Sequence, residues 1–142
     1  MPRRSGKVDA ARIRADPVII DASALLALLH DEPGADHVAA ALAEGSMTAV
    51  NLSEVAAKLV QHGVPDDEMK ALLQSFDLDI IQVDETIAFT AGSLFKVTKH
   101  LGLSLGDRIC IASAILAETP VLTADRAWQG LAHSRLKIVM IR

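Results

Sequence analysis

Five short apolar runs, at residues 18–20, 47–50, 78–83, 121–123 and 137–141, alternate with stretches of helical periodicity along this chain. Each run is too short to be a buried helix, and each of the first four is followed by a helix start. Strands that alternate with helices form parallel neighbours, because a crossover long enough to hold a helix joins them, and that crossover is right-handed. The runs carry few polar residues, as strands covered on both faces do. The expected fold is α/β, a parallel sheet between two layers of helices.

The helices can be placed from the same pattern. One covers residues 24–30 and is apolar on nearly every side, hence buried. A second spans 35–43, with Gly45 as its stop. A third runs from Asn51 to about His62. Beyond Gly63 and Pro65, Asp66, Asp67 and Glu68 open a fourth whose core face is Met69, Leu72, Leu73 and Phe76. Asp84 and Glu85 precede a fifth with the apolar face Ile87, Ala88, Ala91, Leu94 and Phe95, ended by Gly102. The stretch 104–128 then reads as helix, turn, buried strand and a new helix start.

A chain of 142 residues suits one domain with a substantial core. With one Trp, three Phe and no Tyr, that core must be Ala, Leu, Ile and Val. Cys110 is the single cysteine, so no internal disulfide is possible, and its apolar helix marks it as a small core residue. A reducing, cytoplasmic setting is the economical expectation. No signal peptide or membrane-spanning run is visible, and a soluble protein is expected.

Charge is unevenly distributed. Residues 1–17 hold Arg3, Arg4, Lys7, Arg12 and Arg14 against Asp9 and Asp16, a balance of +3, so with a net charge of −4 the domain expected at 18–142 carries −7. The leader is expected to be solvated and poorly ordered. An acidic body argues against wrapping nucleic acid on a basic surface, though not against an enzyme whose bound cations meet phosphates.

Four acids stand at informative places. Asp21 and Asp125 directly follow the first and fourth strands, Glu54 lies four residues after the second, and Asp107 sits in the first turn of the helix leading into the fourth. In a parallel sheet the strand carboxyl ends share one edge, where ligands bind. Each acid also has a purely structural explanation. Asp21 and Asp125 can cap helices, Ser104 and Asp107 fit a capping box, and Glu54 can pair with Lys58 one turn on. No strand directly precedes Asp107, so its place is not fixed by that rule. Three acids that converge on one edge nevertheless repel one another unless a cation neutralises them, which makes a metal site the better reading of the set. With no Cys or His among them, a hard ion, Mg²⁺ or Mn²⁺, is favoured over zinc. The five histidines show no ligand spacing.

The segments IIDASALLALL, NLSEV and GLSLGDRICIASAILAETPVLTADRAW resemble the PIN-domain ribonucleases, specifically the VapC-type toxins of bacterial type II toxin–antitoxin pairs, over about residues 18–141. That resemblance implies a three-layer α/β/α fold on a five-stranded parallel sheet of order 3-2-1-4-5. It implies metal-dependent endonucleolytic cleavage of RNA, a cognate antitoxin laid over the active-site groove, and a homodimer. Its acidic quartet falls on Asp21, Glu54, Asp107 and Asp125, with Asp21 and Asp107 tied most firmly to Mg²⁺ and Asp125 at the most variable position. Ser23 and Thr123 match supporting hydroxyl positions, and Arg108 a contact to phosphate or antitoxin. Two other readings remain: a non-catalytic module on the same fold, and another Mg²⁺-dependent phosphate-ester hydrolase. A haloacid-dehalogenase-like phosphatase needs an Asp where this chain has Ser23, and a receiver domain needs paired acids after strand one.

Overall fold

A computed structural model describes residues 16–142; of the basic leader, residues 1–15 lie outside the described residues. Five strands, β1 (Val18–Ile20), β2 (Gly45–Thr48), β3 (Asp79–Ile81), β4 (Val121–Thr123) and β5 (Ile138–Met140), form one sheet in the order β3-β2-β1-β4-β5. Every pairing is parallel, with Ile19 opposite both Ser46 and Val121. The helices between them are α1 (Ala22–Leu29), α2 (Ala35–Ala41), α3 (Ala49–Gln61), α4 (Asp66–Ser75), α5 (Glu85–Ser93), α6 (Phe95–Thr98) and α7 (Leu105–Ala117). This is the expected sheet order, with helices on both sides.

The two helical layers follow from strand geometry. Successive side chains of a strand point to opposite faces. Ile19 and Val121 therefore join Ile87, Ala91, Ile111 and Trp128, the layer built by α5 and α7. Ile20, Leu122 and Met47 join Leu25, Val38, Val55 and Leu73, the layer built by α1 to α4. Among the described residues no helix is long and apolar enough to cross a membrane.

Element boundaries depart from the sequence reading where side chains cap the backbone. The third helix begins at Ala49 rather than Asn51, because Thr48 ends β2 and its Oγ1 accepts the amide of Asn51 at 3.0 Å. Gly45 closes the helical segment, its amide donating to the Leu42 carbonyl, but not in a left-handed cap. It is extended, opens β2, and is a glycine because a Cβ there would stand 2.7 Å from Ile20 Cδ1. The second helix ends in a 3-10 turn, Leu42–Glu44. The fifth divides into α5 and α6, and Gly102, at φ 69°, closes a 3-10 turn after them. Of its expected apolar face Ile87, Ala91 and Leu94 are buried, whereas Ala88 is exposed and Phe95 half-exposed. In α4 Leu73 is buried and Leu72 lies outside.

Candidate active site at the strand carboxyl ends

Asp21 follows β1 at the sheet edge and is 2% exposed. It caps α1, as its position suggests, but only with one oxygen. Its Oδ2 accepts from Ser23 Oγ at 2.6 Å, from Thr123 Oγ1 at 3.0 Å and from the Ser23 amide at 3.4 Å. The two hydroxyls are held in turn by backbone amides, Ala124 N to Ser23 Oγ and Asp125 N to Thr123 Oγ1, both at 3.0 Å. Each hydroxyl thus accepts from an amide and donates to Asp21, and the two hydroxyl oxygens lie 3.1 Å apart. Its Oδ1 is buried and has no hydrogen-bond partner among the described residues. Burial, resisted by the Ser23 and Thr123 bonds and reinforced by the negative charge of Asp107, pushes the Asp21 carboxyl up to about 6.

Asp107 arrives from a different element, at the start of α7. The capping box with Ser104 is complete: Ser104 Oγ accepts the Asp107 amide at 3.1 Å, and Asp107 Oδ2 accepts the Ser104 amide at 2.9 Å. Its carboxyl is also raised, first by burial and further by Asp125, against the lowering bonds from Ser104. Asp125 follows β4 and caps the 3-10 turn Arg126–Gly130, its Oδ1 accepting the Ala127 amide at 3.0 Å.

Glu54 does not make the expected pair with Lys58. Asn51, fully buried one turn earlier on α3, donates from Nδ2 to Glu54 Oε1 at 2.6 Å. The opposite amide orientation would set two acceptors against each other, so charge fixes which end faces Glu54. On the far side the carboxylate lies against Gly106 of α7. A Cβ on Gly106 would meet Glu54 Oε2, Oε1 and Cδ at 2.7, 2.8 and 2.9 Å. Asn51 and Gly106 are parts of the site that the sequence reading missed. The signal was the three-residue spacing of Thr48, Asn51 and Glu54, which sets a cap, a donor and an acid along one side of a helix start. Replacing Asn51 by Ala is expected to lower Mn²⁺ affinity about tenfold, as loss of a supporting partner does. A calorimetric titration checks this, and an unchanged affinity removes Asn51 from the site.

Arg108 turns away from the acids. Its Nη1 donates to the Ala91 carbonyl at 3.2 Å, and its guanidinium lies 5.5 Å from the centre of the Phe95 ring. It ties α7 to α5 and α6. Cys110 is fully buried beneath the cluster, where burial first, then Asp21, Asp107 and Glu54, holds its thiol protonated. It is a core residue.

All four acids thus share one arrangement. One carboxylate oxygen is held by the protein, and the other makes no hydrogen bond to a described residue. The capping and site readings are therefore not alternatives. Among the described residues no three acids, histidines or cysteines already stand together as a closed set of ligands. The orphaned Oδ1 of Asp21 and an all-oxygen donor set fit a hard dication that keeps several waters, as Mg²⁺ does.

A family model described as PIN domain matches residues 18–134. A search of curated proteins gave no significant match. Among solved structures, a toxin–antitoxin complex from Klebsiella pneumoniae has 17% identity and a TM-score of 0.65, covering 84% of this chain and 94% of that one. VapBC2 from Rickettsia felis, bound to a DNA fragment from its promoter, has 13% identity and a TM-score of 0.68, with 88% and 98% covered. VapBC-5 from Mycobacterium tuberculosis has 20% identity and a TM-score of 0.60, with 88% and 99% covered.

Proposed function

We propose, from the premise that this chain belongs to the PIN domain family, that it is the toxin of a toxin–antitoxin pair, a cytoplasmic endoribonuclease dependent on Mg²⁺ or Mn²⁺. The observation that carries the reading is the buried, unpartnered Oδ1 of Asp21 beside three further acids, each with an oxygen to give. Toxin–antitoxin complexes among the fold neighbours support the antitoxin as partner.

Asp21 and Asp107 are the first choices as metal ligands, Glu54 ligates directly or through water, and Asp125 is the loosest of the four. When bound, the ion supplies neutralisation of the scissile phosphate and activation of water. The residues do the rest. Ser23 and Thr123 hold the Asp21 carboxylate by Oδ2 and leave the buried Oδ1 uncommitted, and Asn51 holds Glu54 by Oε1, so that Oε2 would be the oxygen offered to the ion or to its water. The acids also exclude a phosphate in the absence of the ion, so metal and substrate bind together. A homodimer accords with the exposed side chains of Phe89, Phe95 and Val97 on α5 and α6.

The test is cleavage of total cellular RNA by the full chain, separated from any antitoxin, with and without Mn²⁺. Wild type is expected to cut only with the ion, and folded Asp107→Asn to be inactive under the same conditions. Equal cleavage by both proteins, or cleavage that ignores chelator, ends the metal-nuclease reading.

A further inference from the structure

A groove of about 570 Å³ opens from Ser23 and Asp125 and runs between the carboxyl-terminal ends of α1 and α3. We infer that it seats a single-stranded RNA segment flanking the cleaved bond, with Lys58 on a backbone phosphate and the His30–His62 pair against a base. The inference rests on the nuclease reading and extends it by naming where the strand lies.

Three observations carry it. The groove is continuous with the acid cluster, since Ser23 both lines it and bonds Asp21. Asp125, the acid of the cluster after β4, lines it as well, so the channel starts at the acids.

The second observation is charge. The domain is acidic, yet the groove presents Lys58 and Arg142. Its acid remote from the cluster, Glu32, is already paired with Arg142 at 3.4 Å. Lys58 forms no ion pair among the described residues, because Asn51 holds Glu54, its expected partner one turn earlier. An ammonium released in this way beside a phosphodiester site is a point contact for phosphate. Glu54, Lys58 and His62 follow at four-residue intervals along α3, about 6 Å per step. The helix thus presents an acid at the reaction end, then a cation, then a ring.

The third observation is the ring pair. His30 of the α1 terminus and His62 of the α3 terminus meet edge to face with centroids 5.7 Å apart. His62 is held in place by its Nδ1, which donates to the Lys58 carbonyl at 2.7 Å. A fixed pair of rings next to a phosphate contact is how unpaired bases are gripped, by stacking on a planar side chain. An acidic peptide would answer Lys58 but would leave the two rings unmatched, whereas an RNA strand brings a phosphate for the first and a base for the second.

The experiment is steady-state cleavage of a labelled single-stranded oligoribonucleotide in Mn²⁺ by the full chain and four variants. Lys58→Ala is expected to raise KM about fivefold and to reduce the slope of log KM against log salt by about one contact. His30→Ala/His62→Ala is expected to raise KM about tenfold. In both, kcat stays within about twofold, and Mn²⁺ affinity by calorimetry is unchanged. Lys58→Arg restores KM, and Lys70→Ala, on a different face, leaves it alone. The side chains changed are exposed, so folding does not hinge on them. If wild type cleaves but KM is unmoved in the lysine and histidine variants, the groove assignment is overturned and the nuclease reading stands. If wild type does not cleave, both fall together.

Discussion

Asp21→Asn is expected to make the metal-free protein more stable while abolishing its response to Mg²⁺. The Asp21 carboxyl is raised from 3.8 to about 6, chiefly by burial. A folded-state pKa above the unfolded one means that the folded chain retains a proton between pH about 4 and 6 that the unfolded chain gives up. Stability therefore falls as pH rises through that window and stays lower above it. The difference corresponds to about 3 kcal/mol at neutral pH. Asn keeps an acceptor for Ser23 and Thr123, and its amide hydrogens face the remaining acids instead of repelling them. A gain of about 1–3 kcal/mol, or roughly 5 °C in melting midpoint, is expected at pH 7.5 without metal. The gain should shrink as pH falls from about 6 towards 4, because the folded wild-type carboxyl is then protonated, and only below about 4 is it protonated in both states. Added Mg²⁺ should raise the wild-type midpoint by mass action and leave the variant still. Cleavage should fall by more than the ~10–100-fold that a supporting residue costs. Thermal melts at both pH values, with and without Mg²⁺, decide it. A variant less stable than wild type at pH 7.5, or equal shifts with metal, would mean that Asp21 is only a helix cap.

Gly106→Ala is expected to separate fold from site in the same way. Gly106 lies in the first turn of α7, where alanine is the better helix former by about 0.4–1 kcal/mol. The added Cβ would stand 2.7 to 2.9 Å from three atoms of the Glu54 carboxyl group, so that flexible end must move. Moving it breaks the 2.6 Å bond from Asn51. Cleavage and Mn²⁺ affinity should both drop about 10–100-fold, with a melting midpoint unchanged or raised. Normal Mn²⁺ affinity in this variant would show that Glu54 need not sit where it does.

The layer plan and the sheet edge were readable from short apolar runs because strand direction follows from crossover length alone. Asp21 and Asp125 were readable for the same reason: a residue within two positions of a parallel strand's carboxyl end has its place decided by the strand. Asp107 had no strand before it, and only its resemblance to a family motif marked it. What escaped were pairings set by one atom. Asn51 reads as an ordinary helix residue until its amide is seen on Glu54, and that bond is why the i, i+4 pair with Lys58 fails. Gly106 acts through an atom it lacks, on a residue 52 positions earlier. Thr48 moved a helix start by two residues with one hydroxyl.

The bond from Thr123 to Asp21 joins residues 102 positions apart. Half of the acid cluster, with the serine that steadies it, is made early in the chain, but the clasp that fixes Asp21 comes from β4 and the second pair of acids flanks it. A nascent chain ending before residue 121 therefore has no assembled site, however well α1 to α4 have formed. Order of synthesis acts as a timer: the chemistry becomes available only when β4 and the residues up to Asp125 have been made and docked.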